Sequence, residues 1–139
     1  MRTLKVLAAI AALAIGVHVW HGRHGLTRDM LALADSNGFV PVQMPDGSAR
    51  DTVLILAPVN CPSDGAKRAD ALSSRLRELG IPNIRSSQYS VSSLTQGNRE
   101  GVKRAFAVMN GQIPAVMLNG RGKANPTADE VAIEYRRDD

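Results

Sequence analysis

Residues 52–79, TVLILAPVNCPSDGAKRADALSSRLREL, contain the transition that decides the fold. The first seven of these residues form a continuous apolar run rich in β-branched side chains, which is typical of a strand buried on both faces of a parallel or mixed sheet. Apolar residues then recur every three or four positions, as on one buried face of a helix, at Ala66, Ala69, Leu72, Leu76 and Leu79. A buried strand followed by an amphipathic helix predicts an α/β domain.

The ends of this helix also have sequence signals. Pro62 suits the first helical position, where a missing N–H costs nothing, and Asp64 suits the first turn because its charge complements the helix dipole. Gly80 is expected to end the helix.

The elements on either side alternate between strands and helices. Upstream, residues 39–44 alternate apolar and polar side chains, and Pro41 predicts that this strand lies at an edge. Downstream, a strand, a helix and two further strands are predicted over residues 81–87, 98–109, 115–118 and 121–124. Asn119-Gly120 predicts an antiparallel hairpin between the last two strands. Thr127 and Glu130 form a capping box that opens a final helix.

The N-terminus predicts export. Arg2 and Lys5 precede an apolar stretch, and residues 1–20 are interpreted as a signal peptide or an uncleaved membrane anchor. Either outcome leaves the rest of the chain outside the cytoplasm because the positive end stays inside. We expect a periplasmic protein of a Gram-negative bacterium, secreted or anchored to the inner membrane, with a linker over residues 21–38 and one domain over 39–139.

Composition excludes several classes of function. The chain has 17 Lys and Arg against 13 Asp and Glu, and without Arg2 and Lys5 the counts are 15 and 13, which is too balanced to predict nucleic-acid binding. A single Cys excludes an internal disulfide and a multi-cysteine metal site. No metal is expected, and His18, His21 and His24 are interpreted as incidental residues of the juxtamembrane flank.

Cys61 is the residue whose position most suggests chemistry. A thiol between a buried strand and a helix meets unpaired backbone N–H groups and the positive end of the helix dipole, which lower its pKa and favour the nucleophilic thiolate. Asp64 is expected to act in the opposite direction, because a nearby carboxylate raises the pKa of a thiol. The alternative is that Cys61 is a small, half-buried residue at a helix cap.

A second feature completes a resemblance. Ile113-Pro114 stands between a helix and a strand, where a proline is confined to the strand's first residue or an edge. Together with Cys61-Pro62-Ser63-Asp64 at the start of the first helix, and in this order of elements, the chain resembles the thioredoxin-like superfamily in its compact, glutaredoxin-like form. The resemblance covers about residues 51–137 and implies a mixed four-stranded sheet flanked by helices.

The resemblance implies thiol–disulfide exchange. Cys61 would be the attacking thiolate, with Pro114 in the cis conformation beside it. A thiol- or disulfide-bearing protein or peptide would bind against Pro62, Ser63, Asp64, Ile113 and Pro114. Because Asp64 replaces the family's second active-site Cys, a monothiol route would need glutathione or another external thiol and no bound cofactor. Two alternatives remain open: a non-catalytic binding module of the same fold, and a covalent dimer through Cys61.

Overall fold

The described part of the chain is residues 28–137 of a computed structural model. The chain divides into two units, residues 1–33 and 34–139. Of the first unit, residues 28–33 are described and are helical. The second unit begins at Ala34, so residues 34–38, predicted as linker, are part of it.

One mixed sheet forms the centre of the second unit. Its strands are β1 (Val40–Pro41), β2 (Val53–Leu56), β3 (Asn83–Ser86), β4 (Ala115–Leu118) and β5 (Arg121–Ala124). They lie in the order β1-β5-β4-β2-β3. The pair β2 and β3 is parallel, and the pairs β2–β4, β4–β5 and β1–β5 are antiparallel. Strands β2 and β4 are buried along their whole length, as the apolar run around Ile55 predicts.

The sheet has five strands where the resemblance implied four. The fifth is β1, which lies within the edge strand predicted over residues 39–44 and pairs with β5 over two residues. Its position agrees with the prediction from Pro41, because a residue without an N–H interrupts a ladder least at an edge. Phe39 and residues 42–44, which complete the predicted strand, are not part of the sheet.

Three helices of the second unit pack on this sheet: α1 (Asp64–Glu78), α2 (Arg99–Met109) and α3 (Ala128–Tyr135). Helix α1 contacts β2, β3 and α3, whereas α2 contacts β1 and β5. Alternate strand residues form one buried cluster with α1 and α3, namely Val53, Ile55, Val116 and Leu118 with Leu72, Leu76 and Val131 among others. The hydrophobic core therefore fixes α1 directly over the strand that precedes Cys61.

The helix ends agree with the sequence signals except at one residue. Gly80 follows α1 with a φ of 73°, and the Thr127–Glu130 capping box is present. Pro62, however, is not the first helical residue. Ser63 is the N-cap because its hydroxyl accepts a hydrogen bond from the N–H of Ala66, and α1 begins at Asp64.

The predicted membrane segment, residues 1–20, lies outside the described residues. Among residues 28–137, no helix is long and apolar enough to cross a membrane.

Candidate functional site

Cys61 lies in the loop that joins β2 to α1, which we call the thiol loop (residues 57–63). Asn60 has a φ of 57°, a left-handed conformation that Asn tolerates better than most residues. From Pro58 to Ser63 every residue of the loop is exposed, and the Cys61 thiol is free and exposed. The alternative of a half-buried cap residue is therefore wrong, since solvent and reagents reach the sulfur.

Ser63 supplies the local electrostatics of the thiol. Its hydroxyl and then its backbone N–H hydrogen-bond to the Cys61 sulfur and lower the pKa of the thiol below its ordinary value, against a smaller opposing effect of lost hydration. The same hydroxyl oxygen accepts the N–H of Ala66 at 3.2 Å, so the helix cap orients it. A lowered pKa increases the fraction of thiolate, the form of cysteine that attacks disulfides.

Asp64 does not act on the thiol as expected. It is exposed and lies 3.8 Å from Lys67 in an ion pair along the helix surface. The groups that shift the pKa of Cys61 belong to Ser63, and the shift is downward. Because Asp64 is surrounded by water and paired with the cation of Lys67, its effect on the neighbouring sulfur is weakened.

Ile113 and Pro114 pack against the first turns of α1. Their peptide bond is cis, Pro114 is fully buried, and β4 begins at the next residue. A Cβ placed on Gly65 would lie 3.0 Å from the Cβ of Ile113, so this glycine allows the close approach. Arg68 donates from Nε to the carbonyl oxygen of Ile113 at 3.1 Å. The two predicted site segments thus both border the N-terminal end of α1.

An apolar cleft lies at the end of β2 beside the thiol loop. It has a volume of about 320 Å³, and its walls include Pro58, Tyr89, Met109 and Ile113. The Tyr89 hydroxyl donates to the carbonyl oxygen of Gln43 at 2.9 Å, which fixes the ring in the wall. A more polar cleft of about 690 Å³ lies at the other end of β2, beside Asp51, away from the thiol.

Sequence reasoning missed three residues of this region. Arg68, Arg85 and Tyr89 each donate to a distant backbone carbonyl, of Ile113, Pro58 and Gln43 respectively. Nothing in a local pattern distinguishes such an arginine from one on a solvated surface, because the acceptor lies 45, 27 or 46 residues away. Of these three residues, Tyr89 has the weakest sequence signal, because it is an isolated tyrosine after a predicted strand.

The described residues contain no candidate metal-binding site. Between residues 28 and 137, no three His, Cys, Asp or Glu side chains come together to hold a metal ion. His18, His21 and His24 lie outside that range.

Comparison with known proteins yields no relative. No protein-family model matches the chain, and neither does a curated protein nor a solved structure. What is established is an α/β domain with a mixed five-stranded sheet flanked by helices.

Proposed function

We propose that this protein carries out thiol–disulfide exchange through Cys61 on a thioredoxin-like scaffold. The observation that carries the proposal is the exposed Cys61 thiol before the N-cap of α1, whose pKa the Ser63 hydroxyl and N–H lower. An accessible thiolate at neutral pH is the requirement of this chemistry, and a helix N-terminus is where proteins commonly generate one.

The topology supports the thioredoxin-like scaffold. The cysteine follows a strand that has a parallel neighbour on one side and an antiparallel neighbour on the other. The strand on the antiparallel side begins after the cis Ile113–Pro114 bond and continues into a hairpin, after which the final helix α3 follows. This is the arrangement that the resemblance of Cys61-Pro62-Ser63-Asp64 and Ile113-Pro114 implies.

The reaction proceeds in two exchanges. The Cys61 thiolate attacks one sulfur of a partner disulfide, forms a mixed disulfide with it and releases the other sulfur as a thiolate that takes a proton from water. A second thiolate, from a low-molecular-weight thiol such as glutathione or from another protein, then attacks the partner's sulfur in that mixed disulfide. Cys61 leaves as the thiolate, so one disulfide is consumed, one is formed and the protein is unchanged.

The partner is a thiol- or disulfide-bearing protein or peptide of the cell envelope. This placement rests on the basic and apolar character of residues 1–20, which directs export and holds the domain at the inner membrane or releases it to the periplasm. An oxidising compartment supplies disulfides for the first exchange.

The test is the pH dependence of Cys61 alkylation by iodoacetamide, measured on the full chain in mild detergent. Because the sequence contains a single Cys, the mass increase reports this thiol alone. We expect a midpoint below the free-thiol value of about 8.5 and, at neutral pH, a mixed disulfide with glutathione disulfide that Cys61→Ser abolishes.

Ser63 provides matched controls for this measurement. Ser63→Gly removes the hydroxyl at a cost to the helix cap of only a few tenths of a kcal/mol, so the midpoint should rise while the fold stays intact. Ser63→Thr keeps the hydroxyl and should retain the low midpoint. A wild-type midpoint at or above about 8.5 would contradict the proposal.

A second candidate is a peptide-binding module without a redox cycle. The apolar cleft formed by Pro58, Tyr89, Met109 and Ile113 favours it, because an apolar side chain of an extended peptide would fit beside the thiol loop. Partner binding that survives Cys61→Ser unchanged would support this candidate. A disulfide-linked dimer on a non-reducing gel, lost in the same variant, would instead identify Cys61 as a covalent dimer contact.

A further inference from the structure

We propose that Arg85 is the positioning residue of the thiol loop: its guanidinium group clamps the start of the loop to α1 and so sets the reactivity of Cys61. The inference rests on the proposed function and adds the residue that prepares its nucleophile. Arg85 lies on β3, the edge strand next to β2, and its side chain is 18% exposed.

The two arms of the guanidinium group contact different elements. Nη1 forms an ion pair with Asp70 of α1, and Nη2 donates to the carbonyl oxygen of Pro58 at 3.1 Å. The third nitrogen, Nε, is buried without a hydrogen-bond partner, so these two contacts carry the polar interactions of the group. A planar fork that reaches two acceptors at once is a property of arginine that lysine lacks.

The thiol loop has few other attachments. At its start, the N–H of Ala57 donates to the carbonyl oxygen of Ser86 at 3.0 Å. At its end, Ser63 accepts from Ala66 and Lys67 of α1. In the described part of the chain, the Arg85–Pro58 contact is the one hydrogen bond that reaches residues 58–62 from a strand or helix. Pro58 and Pro62 have no N–H of their own to donate.

This contact lies three residues before Cys61, so it limits the positions that the Cys61 sulfur can reach. The Ser63 hydroxyl and N–H stabilise the thiolate when the sulfur stays within hydrogen-bond distance of them. Without the clamp the loop samples more conformations, and the sulfur spends part of its time away from Ser63. Arg85 therefore acts through the loop and through Ser63, and it does not touch the reacting atoms.

The test combines two measurements on Arg85→Met. The first is the pH midpoint of Cys61 alkylation, which we expect to rise towards the free-thiol value. The second is hydrogen exchange at the amide of Ala57, which donates to Ser86 at the start of the thiol loop and which we expect to exchange about tenfold faster, as for the loss of one charge-assisted hydrogen bond. Mass spectrometry of the intact protein under native conditions confirms that the variant folds.

Two controls separate positioning from charge. Arg75→Met removes the same charge from α1, where Arg75 pairs with Glu78 on the exposed surface, and should leave both measurements unchanged. Arg85→Lys keeps the charge and can hold one acceptor at a time. Its alkylation midpoint and exchange rate should therefore lie between those of wild type and Arg85→Met.

The outcomes distinguish this inference from the proposed function. Wild-type values for both measurements in Arg85→Met overturn the inference alone. The inference is also overturned if Arg85→Lys has the wild-type midpoint but exchanges as fast as Arg85→Met. The positive charge, and not the position of the loop, would then explain the midpoint. An ordinary midpoint in the wild-type protein overturns the proposed function, and the exchange rates then decide whether Arg85 holds the loop.

Discussion

Two regions of this domain differ in the number of polar contacts that their side chains make. The first is an ionic cluster that joins the segment before β1 to β5 and α3, formed by Asp35, Arg121, Glu134 and Arg137. The second is the thiol loop, where Cys61 is fully accessible and Pro58 has one contact to Arg85. The ionic cluster holds charged side chains inside a network of contacts, whereas the nucleophile lies where solvent reaches it.

The ionic cluster is largely removed from water. Glu134 is 3% exposed, Asp35 is 11% exposed and Arg121 is 22% exposed. Arg121 lies 2.9 Å from both carboxylates and also donates to the carbonyl oxygen of Phe39 at 2.8 Å. Arg137 also pairs with both acids, at 2.7 Å from Asp35 and 3.5 Å from Glu134, but it is more exposed, so Arg121 is the more buried of their two shared cations. The ionic cluster and the thiol loop are separate parts of the domain, so its stability and its proposed chemistry can each be perturbed alone.

The largest expected effect comes from removing the more buried of the two shared cations. Arg121→Met leaves two largely buried carboxylates with only the exposed Arg137 as a common partner, and we expect the free energy of unfolding to fall by about 3–5 kcal/mol. Urea denaturation measures it. Arg137→Met, which removes a 42% exposed arginine from the same Asp35, should cost about 1 kcal/mol or less. Equal losses in the two variants would contradict the distinction between buried and exposed members of the cluster.

A smaller loss of folding stability should appear at acidic pH. Burial opposes the ionisation of Asp35, but the N–H groups of Phe39 and Asn37, with Arg137, lower the pKa of Asp35 from 3.8 to about 2. A lowered pKa stabilises the fold above the unfolded value, and this stability disappears as the pH falls from about 4 to about 2. Its size is about 2 kcal/mol.

Asp35→Asn tests this dependence, because the amide oxygen still accepts the two N–H groups while the charge is lost. The variant should be less stable than wild type by about 2 kcal/mol at neutral pH, and the two proteins should converge near pH 2. Burial and the neighbouring Asp35 raise the pKa of Glu134, which works in the opposite direction. A stability difference that stays constant from pH 7 to pH 2 would show that Asp35 does not contribute through its charge.

The smallest effect should come from the exposed carboxylate beside the thiol. Asp64→Asn removes a charge that is 88% exposed and paired with Lys67 at 3.8 Å, so the free energy of unfolding should change by less than about 0.5 kcal/mol. The alkylation midpoint of Cys61 should stay at the wild-type value. A clear fall in that midpoint would mean that Asp64 opposes the thiolate after all and that the thiol loop is less independent of its surroundings than the contacts indicate.

Much of the architecture could be predicted because its signals are local. The apolar run of β2, the spacing in α1, the Asn119-Gly120 hairpin and the Thr127–Glu130 capping box depend on neighbouring residues alone, and all four predictions are confirmed. The predicted first residue of α1, Pro62, was wrong because Pro62 and Ser63 both favour a helix start. Only the hydrogen bond from Ala66 to Ser63 decides between them.

The candidate site divides in the same way. Residue type and spacing alone predict the order of the elements, the location of Cys61 between a buried strand and a helix, and the position of Pro114 next to β4. The pairing of β1 with β5, the ionic cluster around Arg121 and the contacts of Arg68 and Arg85 with distant carbonyls could not be predicted in this way. Those interactions join residues far apart in the chain, and a hydrogen bond or an ion pair exists only once folding has brought its two partners together.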